Sequence, residues 1–409
     1  MTVGTTRRGF VAGGVSAAAL VSGSGLAFAQ KKYDDGATDK EIKIGNTNPY
    51  SGPVSAYGAI GKTIEAYWKS VNAAGGINGR MVKFITLDDG YVPSKTVEVV
   101  RQLVEQEKVL CVFQTLGTPT NTAIHKYMNQ KKVPQLFVAT GASKWGKPKD
   151  FPWTMGFQPD YRTEAVIYGK HVLANVKDAK IGVLYQNDDF GKDYLDGFRE
   201  GLGKETGRIV KQVSYEATDP TVDSQIIQLK DSGANVFLNI SAPKAAAQGI
   251  RKAADIGWKP VHYLTNVSAS VAAVMKPAGF DNSQGIMTAA YLKDSTDKQW
   301  ANDPEMKTWR EWMGKWMPDA NQADLNYVYG YAVSILLQET LKKCGDNLTR
   351  ENLMRQAANH QKLRIPLLLP GITVSTSPTD FYPVQAVQLQ RFKGETWELF
   401  GEVMSAEST

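Results

Sequence analysis

The chain has 409 residues, with 37 Gly, 18 Pro, 42% hydrophobic residues and a formal charge of +6. That length calls for two or three domains, and the composition is that of a globular chain rather than a disordered or fibrous one. Its Lys and Arg are scattered among acids, so there is no basic stripe for nucleic acid, and past the N-terminus no apolar run is long enough for a membrane span.

Residues 1–29 read as an export signal. Thr6-Arg7-Arg8-Gly9-Phe10-Val11 resembles the twin-arginine motif, an apolar Ala- and Gly-rich run reaches Leu26, and Ala27-Phe28-Ala29 is a cleavage triplet before Gln30. A general secretion signal that happens to carry two arginines is the alternative, and either exports the mature chain. Without Arg7 and Arg8 there remain 45 basic residues against 41 acidic. Cys111 falls inside a predicted strand and Cys344 at the end of a predicted helix. They are expected to stay unpaired, although an exported protein could join them.

Residues 30–40 are polar and read as a loose start to the mature chain. A βα alternation follows. Ile42–Ile44 is a strand, 46–58 a turn-rich loop, and 59–72 an amphipathic helix with Ile60, Ile64, Tyr67 and Val71 on one face. Val82–Leu87 is a strand, Asp88-Asp89-Gly90 a turn, and 93–107 a helix with Val97, Val100, Leu103 and Val104 inward. The run Val109–Phe113 has the apolar, β-branched and aromatic character of a buried parallel strand. Gly117 then permits a sharp turn, Thr118 suits an N-cap and Pro119 the first helical position, with the helix running to Lys131. Strand Gln135–Val138 ends in Ala139-Thr140-Gly141-Ala142-Ser143.

Phe151–Pro159 breaks the rhythm and reads as a crossing between domains. The alternation restarts with a helix over 163–175 and a strand over 181–185. The loop Asn187–Gly191 leads to a helix over 192–206, then come strand 209–215, helix 223–232, strand 236–240, helix 245–256 and strand 261–264. Ile286–Leu292 reads as a return crossing. Helices are predicted over 309–316, 326–343 (with Tyr327, Tyr331, Ile335 and Thr340 inward) and from Thr349 to Ala358. Residues 386–392 and 397–403 alternate like a closing hairpin. The pattern predicts two parallel sheets covered by helices on both faces.

Two successive strand ends, 114–120 and 139–143, each close in Gly plus a hydroxyl. In open parallel sheets ligands bind outside the carboxyl ends of strands, and helix N-terminal amides suit an anion such as a carboxylate. Ordinary strand-to-helix loops are the plainer reading of each stretch taken alone.

Ser51-Gly52-Pro53-Val54-Ser55-Ala56-Tyr57-Gly58 resembles the first ligand loop of the type I periplasmic binding proteins, in their leucine/isoleucine/valine-binding branch. The 72–80 turn, Asp88-Asp89, Asn187–Gly191 and Tyr329-Gly330-Tyr331-Ala332 are similar too, and the likeness runs over 40–409. It implies two doubly wound lobes joined by three hinge crossings: 40–157 with 289–384, and 158–288 with 385–409. It further implies a monomeric periplasmic receptor that closes on one solute and docks on the permease of an ABC transporter in the inner membrane. Carried over by position, Tyr57 packs on the solute, and Gly117 and Thr118 offer amide and hydroxyl to its carboxylate. Gly141, Ala142 and Ser143 supply further contacts, and Phe190 faces them from the second lobe. The branched-chain receptors hold the ligand ammonium with an acid after the strand that ends here at Leu264. This chain has Thr265-Asn266-Val267 there. A buried ammonium without a counter-charge is costly, so the expected solute is an aromatic or apolar carboxylic acid touching Asn266. A branched-chain or other amino acid is the alternative, with Asp188 or Asp189 as counter-charge.

An enzyme is not indicated. There is no G-x-S-x-G, H-E-x-x-H or P-loop pattern, and Gly201-Leu202-Gly203-Lys204 reads as a helix stop. His125, His171, His262 and His360 are isolated along the chain. No metal, cofactor or catalytic residue is implied. A sensor ectodomain on the same fold would need an anchor that the sequence does not contain.

Overall fold

The computed structural model describes residues 1–5 and 31–405; the twin arginines, the apolar run and the cleavage triplet of the expected export signal lie outside the described residues. The chain is α/β, built on two separate sheets. The first has five parallel strands in the spatial order Met81–Asp88, Glu41–Asn48, Cys111–Phe113, Gln135–Val138, Thr154–Gly156. In the second, Ile209–Tyr215, Ile181–Gln186, Val236–Ile240, Val261–Leu264 and Met287–Ala290 run parallel. The antiparallel pair Ala386–Lys393 and Thr396–Ser405 completes its edge.

Both parallel sets follow the same winding, with the first strand between the second and the third. Each sheet therefore has a switch point beside its first strand, where successive connections leave to opposite faces and open a crevice at the carboxyl ends. The two crevices face each other, which positions the site.

The helix Gly58–Ala73 buries Ile60, Ile64, Tyr67 and Val71, the face its periodicity predicts. The long helix Leu325–Cys344 packs against it through Gly330, where a Cβ would stand 2.8 Å from Thr63 Cβ and 3.0 Å from the Ile60 carbonyl oxygen. Residues after the second sheet's fifth strand thus return to the first sheet before the chain crosses again to the closing hairpin.

Several elements differ from expectation. The segment read as a crossing at 151–159 contains the strand Thr154–Gly156, whose three residues are fully buried beside Gln135–Val138 and too few to show a pattern. Met287–Ala290 is likewise a strand of the second sheet, so the return crossing begins after it. Residues 31–40 are anchored: Lys32–Tyr33 pairs with Asn347–Leu348, and buried Arg80 donates to the Thr38 carbonyl, the Tyr33 hydroxyl and Asp346. The helix from Pro93 ends at Arg101 and continues as a π turn over Gln102–Gln106. In the long helix the fully buried positions are Val328, Ala332, Val333, Ser334, Leu336, Leu337, Leu341 and, as expected, Thr340. Tyr327, Tyr331 and Ile335 are only half-buried, because two surfaces press on this helix and its apolar residues do not mark a single stripe. Cys111 and Cys344 are buried free thiols. Among the described residues no helix is long and apolar enough to cross a membrane.

Candidate functional site

A cleft between the two sheets holds about 840 Å³ of space free of atoms, part of it open to solvent. It is lined by the loops at both switch points. Tyr57, Gly117 and Thr118 come from the first sheet, Gln186, Phe190 and Ala242 from the second, and Asn266 from the loop after Val261–Leu264. Six aromatic rings line it, and among the described residues no Asp, Glu, Lys, Arg or His does.

The first-sheet wall is built around Gly117. Its φ of +101° is one that side chains resist, and a Cβ there would lie 2.3 Å from the Tyr91 ring. Gly117 thus lets Tyr91 close over the start of the helix Thr118–Lys131. The first helical bond runs from the Asn121 amide to the Gly117 carbonyl, which leaves the amides of Thr118 and Thr120 without intrahelical partners. The Gly117 amide itself is committed to the Ala139 carbonyl. The Thr118 hydroxyl lies 2.6 Å from that of Thr140. Thr140 Oγ1 also accepts from the Trp145 indole and the Ala142 amide, which leaves its own proton for Thr118 or for the Tyr161 hydroxyl. The Thr118 hydroxyl and the helix amides of Thr118 and Thr120 are the donors without intrahelical partners at this end, whereas the Gly117 N–H is already bonded.

Asp88 ties the first loop down. Burial alone would raise its carboxyl, but the Ser51 hydroxyl and the amides of Gly90 and Ser51 outweigh that and hold it down at about 2. Asp89, buried, accepts from the Tyr91 amide and the Thr96 hydroxyl and so fixes the Tyr91 turn.

On the second-sheet side Phe190 opens the helix Asp189–Leu202 and packs edge-on against Tyr161 and Tyr194. Asp188 caps that helix, accepting from the amides of Phe190 and Gly191 and from Gln186. Asp189 pairs with Lys144 at 2.6 Å. Neither lines the cleft, so the expected counter-charge for an amino acid is not presented to it. Asn266 does line it, and its side-chain amide donates to buried Glu164.

Gly141, Ala142 and Ser143 lie outside the lining, contrary to the sequence expectation. Gly141 is wedged against Tyr161 and the Pro159 carbonyl. Ser143 is spent on another contact: its amide and hydroxyl donate to Asp193 at 2.8 and 3.1 Å. That contact spans the lobes, as do the Tyr57 hydroxyl to the Val267 carbonyl at 3.0 Å and Gln186 to the Tyr91 hydroxyl at 3.3 Å. The lobes are closed on one another.

Tyr91, Tyr161, Tyr291 and Tyr329 in the lining were not anticipated. Tyr91 follows the Asp88-Asp89-Gly90 turn and Tyr329 sits in the Tyr-Gly-Tyr-Ala helix, so both had a sequence signal; Tyr161 and Tyr291 had none beyond their nearness to crossings. None of the four histidines lines the cleft, and burial pushes His125 down to about 4 and His262 to about 3. No group of acidic, His or Cys side chains suited to a metal occurs among the described residues.

Two facing doubly wound lobes closed over one uncharged cleft define a solute-binding clamp. The chain belongs to the periplasmic binding protein family, whose model matches residues 41–396. It is similar to the "Amino acid binding protein" of Pseudomonas aeruginosa, 26% identical over 48% of this chain, and spans about half of that relative's length (52%). It is 26% identical to the Leu/Ile/Val-binding protein homolog 1 of Brucella abortus, over 80% of this chain and 85% of the relative. Among solved structures it resembles a branched-chain amino acid ABC transporter protein of Thermus thermophilus with bound valine (TM-score 0.81, 16% identity, 90% of this chain and 97% of that one). It also resembles a solute-binding protein of an ABC transporter from Rhodopseudomonas palustris BisB5 in complex with 3,4-dihydroxybenzoic acid (TM-score 0.75, 20% identity, 90% and 98%). At those identities the structures speak for the fold alone.

Proposed function

We propose that this protein is the periplasmic receptor of an ABC importer, without enzymatic activity, and that it captures a small carboxylate with an aromatic or apolar body. In this reading its lobes are 40–157 with the return segment 291–384, and 158–290 with 385–409; it works as a monomer and delivers the solute to a membrane permease. One observation carries the ligand class: among the described residues the cleft lining has no charged side chain, while the first turn of Thr118–Lys131 offers unpaired amides and the Thr118 hydroxyl. Those donors and the helix dipole suit a carboxylate, and the aromatic walls suit an apolar body. An α-ammonium in the same cleft would be desolvated with no carboxylate beside it.

A branched-chain amino acid is the second reading, favoured by the names of the relatives. A thermal-shift screen separates the two. A ligand at about 100 times its Kd adds about 2.7 kcal/mol of stability. Melting shifts with benzoate-type and phenylpropenoate-type acids and none with leucine or valine support the first reading; the reverse pattern supports the second.

A further inference from the structure

Behind the second-sheet wall lies Glu164, on the helix Tyr161–Asn175 and fully buried. One carboxylate oxygen accepts from the Tyr168 hydroxyl at 2.5 Å and from the Asn266 amide at 2.9 Å. The other accepts from the side-chain Nδ2 of Asn266. Glu164 does not line the cleft; Asn266 does.

Burial pushes the Glu164 carboxyl up to about 7 against the hydrogen bonds from Tyr168 and Asn266; in its ionised form it only accepts, which turns the Nδ2 face of the Asn266 amide toward it. Asn266 Oδ1 is then directed away from Glu164, and it has no hydrogen-bond partner among the described residues. It is also absent from the fully enclosed orphan atoms, so it is open to the cleft that the residue lines. In an uncharged, aromatic cleft a fixed acceptor left without a donor is unfavourable, and a ligand that fills the space gains most by supplying one. A ligand carboxylate is repelled from this end by Oδ1, and by Glu164 behind it when that group is ionised, and is drawn to the helix start at Thr118.

We infer that the site selects hydroxylated aromatic carboxylates: Asn266 Oδ1 accepts from a ligand hydroxyl, and Glu164 is the positioning residue that fixes which face of the amide meets it. This rests on the carboxylate reading above and deepens it. Anion and hydroxyl would then be read from opposite lobes, so a ligand with both groups bridges the closed form.

The test is calorimetric titration of ligand-free protein with 4-hydroxybenzoate, benzoate and 4-methoxybenzoate, and with leucine and valine as controls. The native protein is expected to favour the hydroxyl compound by at least about 10-fold over the other two acids. Asn266→Ala and Glu164→Gln should each bring that ratio to within about 3-fold of unity, with benzoate affinity changed much less. General damage lowers all three affinities together and leaves the ratio alone, so the ratio isolates the role. Tight binding of all three acids without preference overturns this inference and leaves the carboxylate reading standing. A preference that survives Asn266→Ala also overturns it, and one lost in Asn266→Ala but kept in Glu164→Gln overturns the positioning role. Binding of leucine or valine with no response to any aromatic acid overturns the carboxylate reading itself.

Discussion

At the residue scale the proposed anion end is built on two neighbouring hydroxyls, those of Thr118 and Thr140. Thr140 accepts from Trp145 and Ala142 and shares a hydrogen bond with Thr118, the hydroxyl of the pair that lines the cleft. Thr118→Val keeps the shape and removes that hydroxyl. Carboxylate affinity should fall by about 1–3 kcal/mol by calorimetry, the usual worth of a hydrogen bond to a charged group; unchanged affinity would remove Thr118 from the site. Tyr57 lies on the cleft wall and also bonds across it to Val267. Tyr57→Ala should cost an aromatic acid more than a small aliphatic one in paired titrations, and an equal loss for both would mean that it serves closure alone. Tyr57, Gly117, Thr118, Phe190 and Asn266 all line the cleft; Gly117 and Thr118 were legible from a strand end closing in Gly plus a hydroxyl, and the other three only through the family resemblance. The second strand end of that kind, with Gly141, Ala142 and Ser143, lies outside the lining. That strand end belongs to the fourth strand of its sheet, beyond the switch point, and its loop turns toward Asp193 instead.

At the element scale most strands and helices were legible because a parallel sheet buried on both faces writes continuous apolar runs, while its helices write a 3.6-residue period. Thr154–Gly156 escaped because three residues carry no period, and in the long helix Tyr327, Tyr331 and Ile335 were misphased, though not Thr340, because that helix is covered on two sides. The helix Tyr161–Asn175 carries a testable feature at its start. Its N-cap Asp160 accepts from the Arg162 amide. Burial pushes the Asp160 carboxyl up to about 7; the Arg162 amide opposes this and the nearby Asp193 charge adds to it. A folded-state value above the unfolded one means that the native state holds the proton more tightly. The stability it confers is present at acid pH and is lost as pH rises toward about 7. Asparagine caps as well without the charge. Asp160→Asn should therefore gain about 2 kcal/mol on the native protein between about pH 4.5 and about pH 8 in urea unfolding. A gain independent of pH would contradict the assignment.

For the whole molecule, function follows from two matching switch points set face to face. A solute that touches both lobes favours the closed form only by its differential contact with the two. Ser143 to Asp193 and Lys144 to Asp189 add a latch outside the solute space. Asp193→Ala should weaken solute binding by about 1–2 kcal/mol without touching the solute, because less of the free protein is closed, and X-ray scattering should show a larger ligand-free radius. Native affinity and radius in that variant would mean the latch is incidental. The central claim is that the cleft accepts a carboxylate and rejects an α-ammonium. Titrating the ligand-free protein with 3-phenylpropanoate and with phenylalanine tests it most directly, since the two share ring, chain and carboxylate and differ by the ammonium alone. The uncharged lining predicts that 3-phenylpropanoate binds at least about 100-fold more tightly, the scale of a desolvated charge left unpaired. Equal or tighter binding of phenylalanine would contradict it.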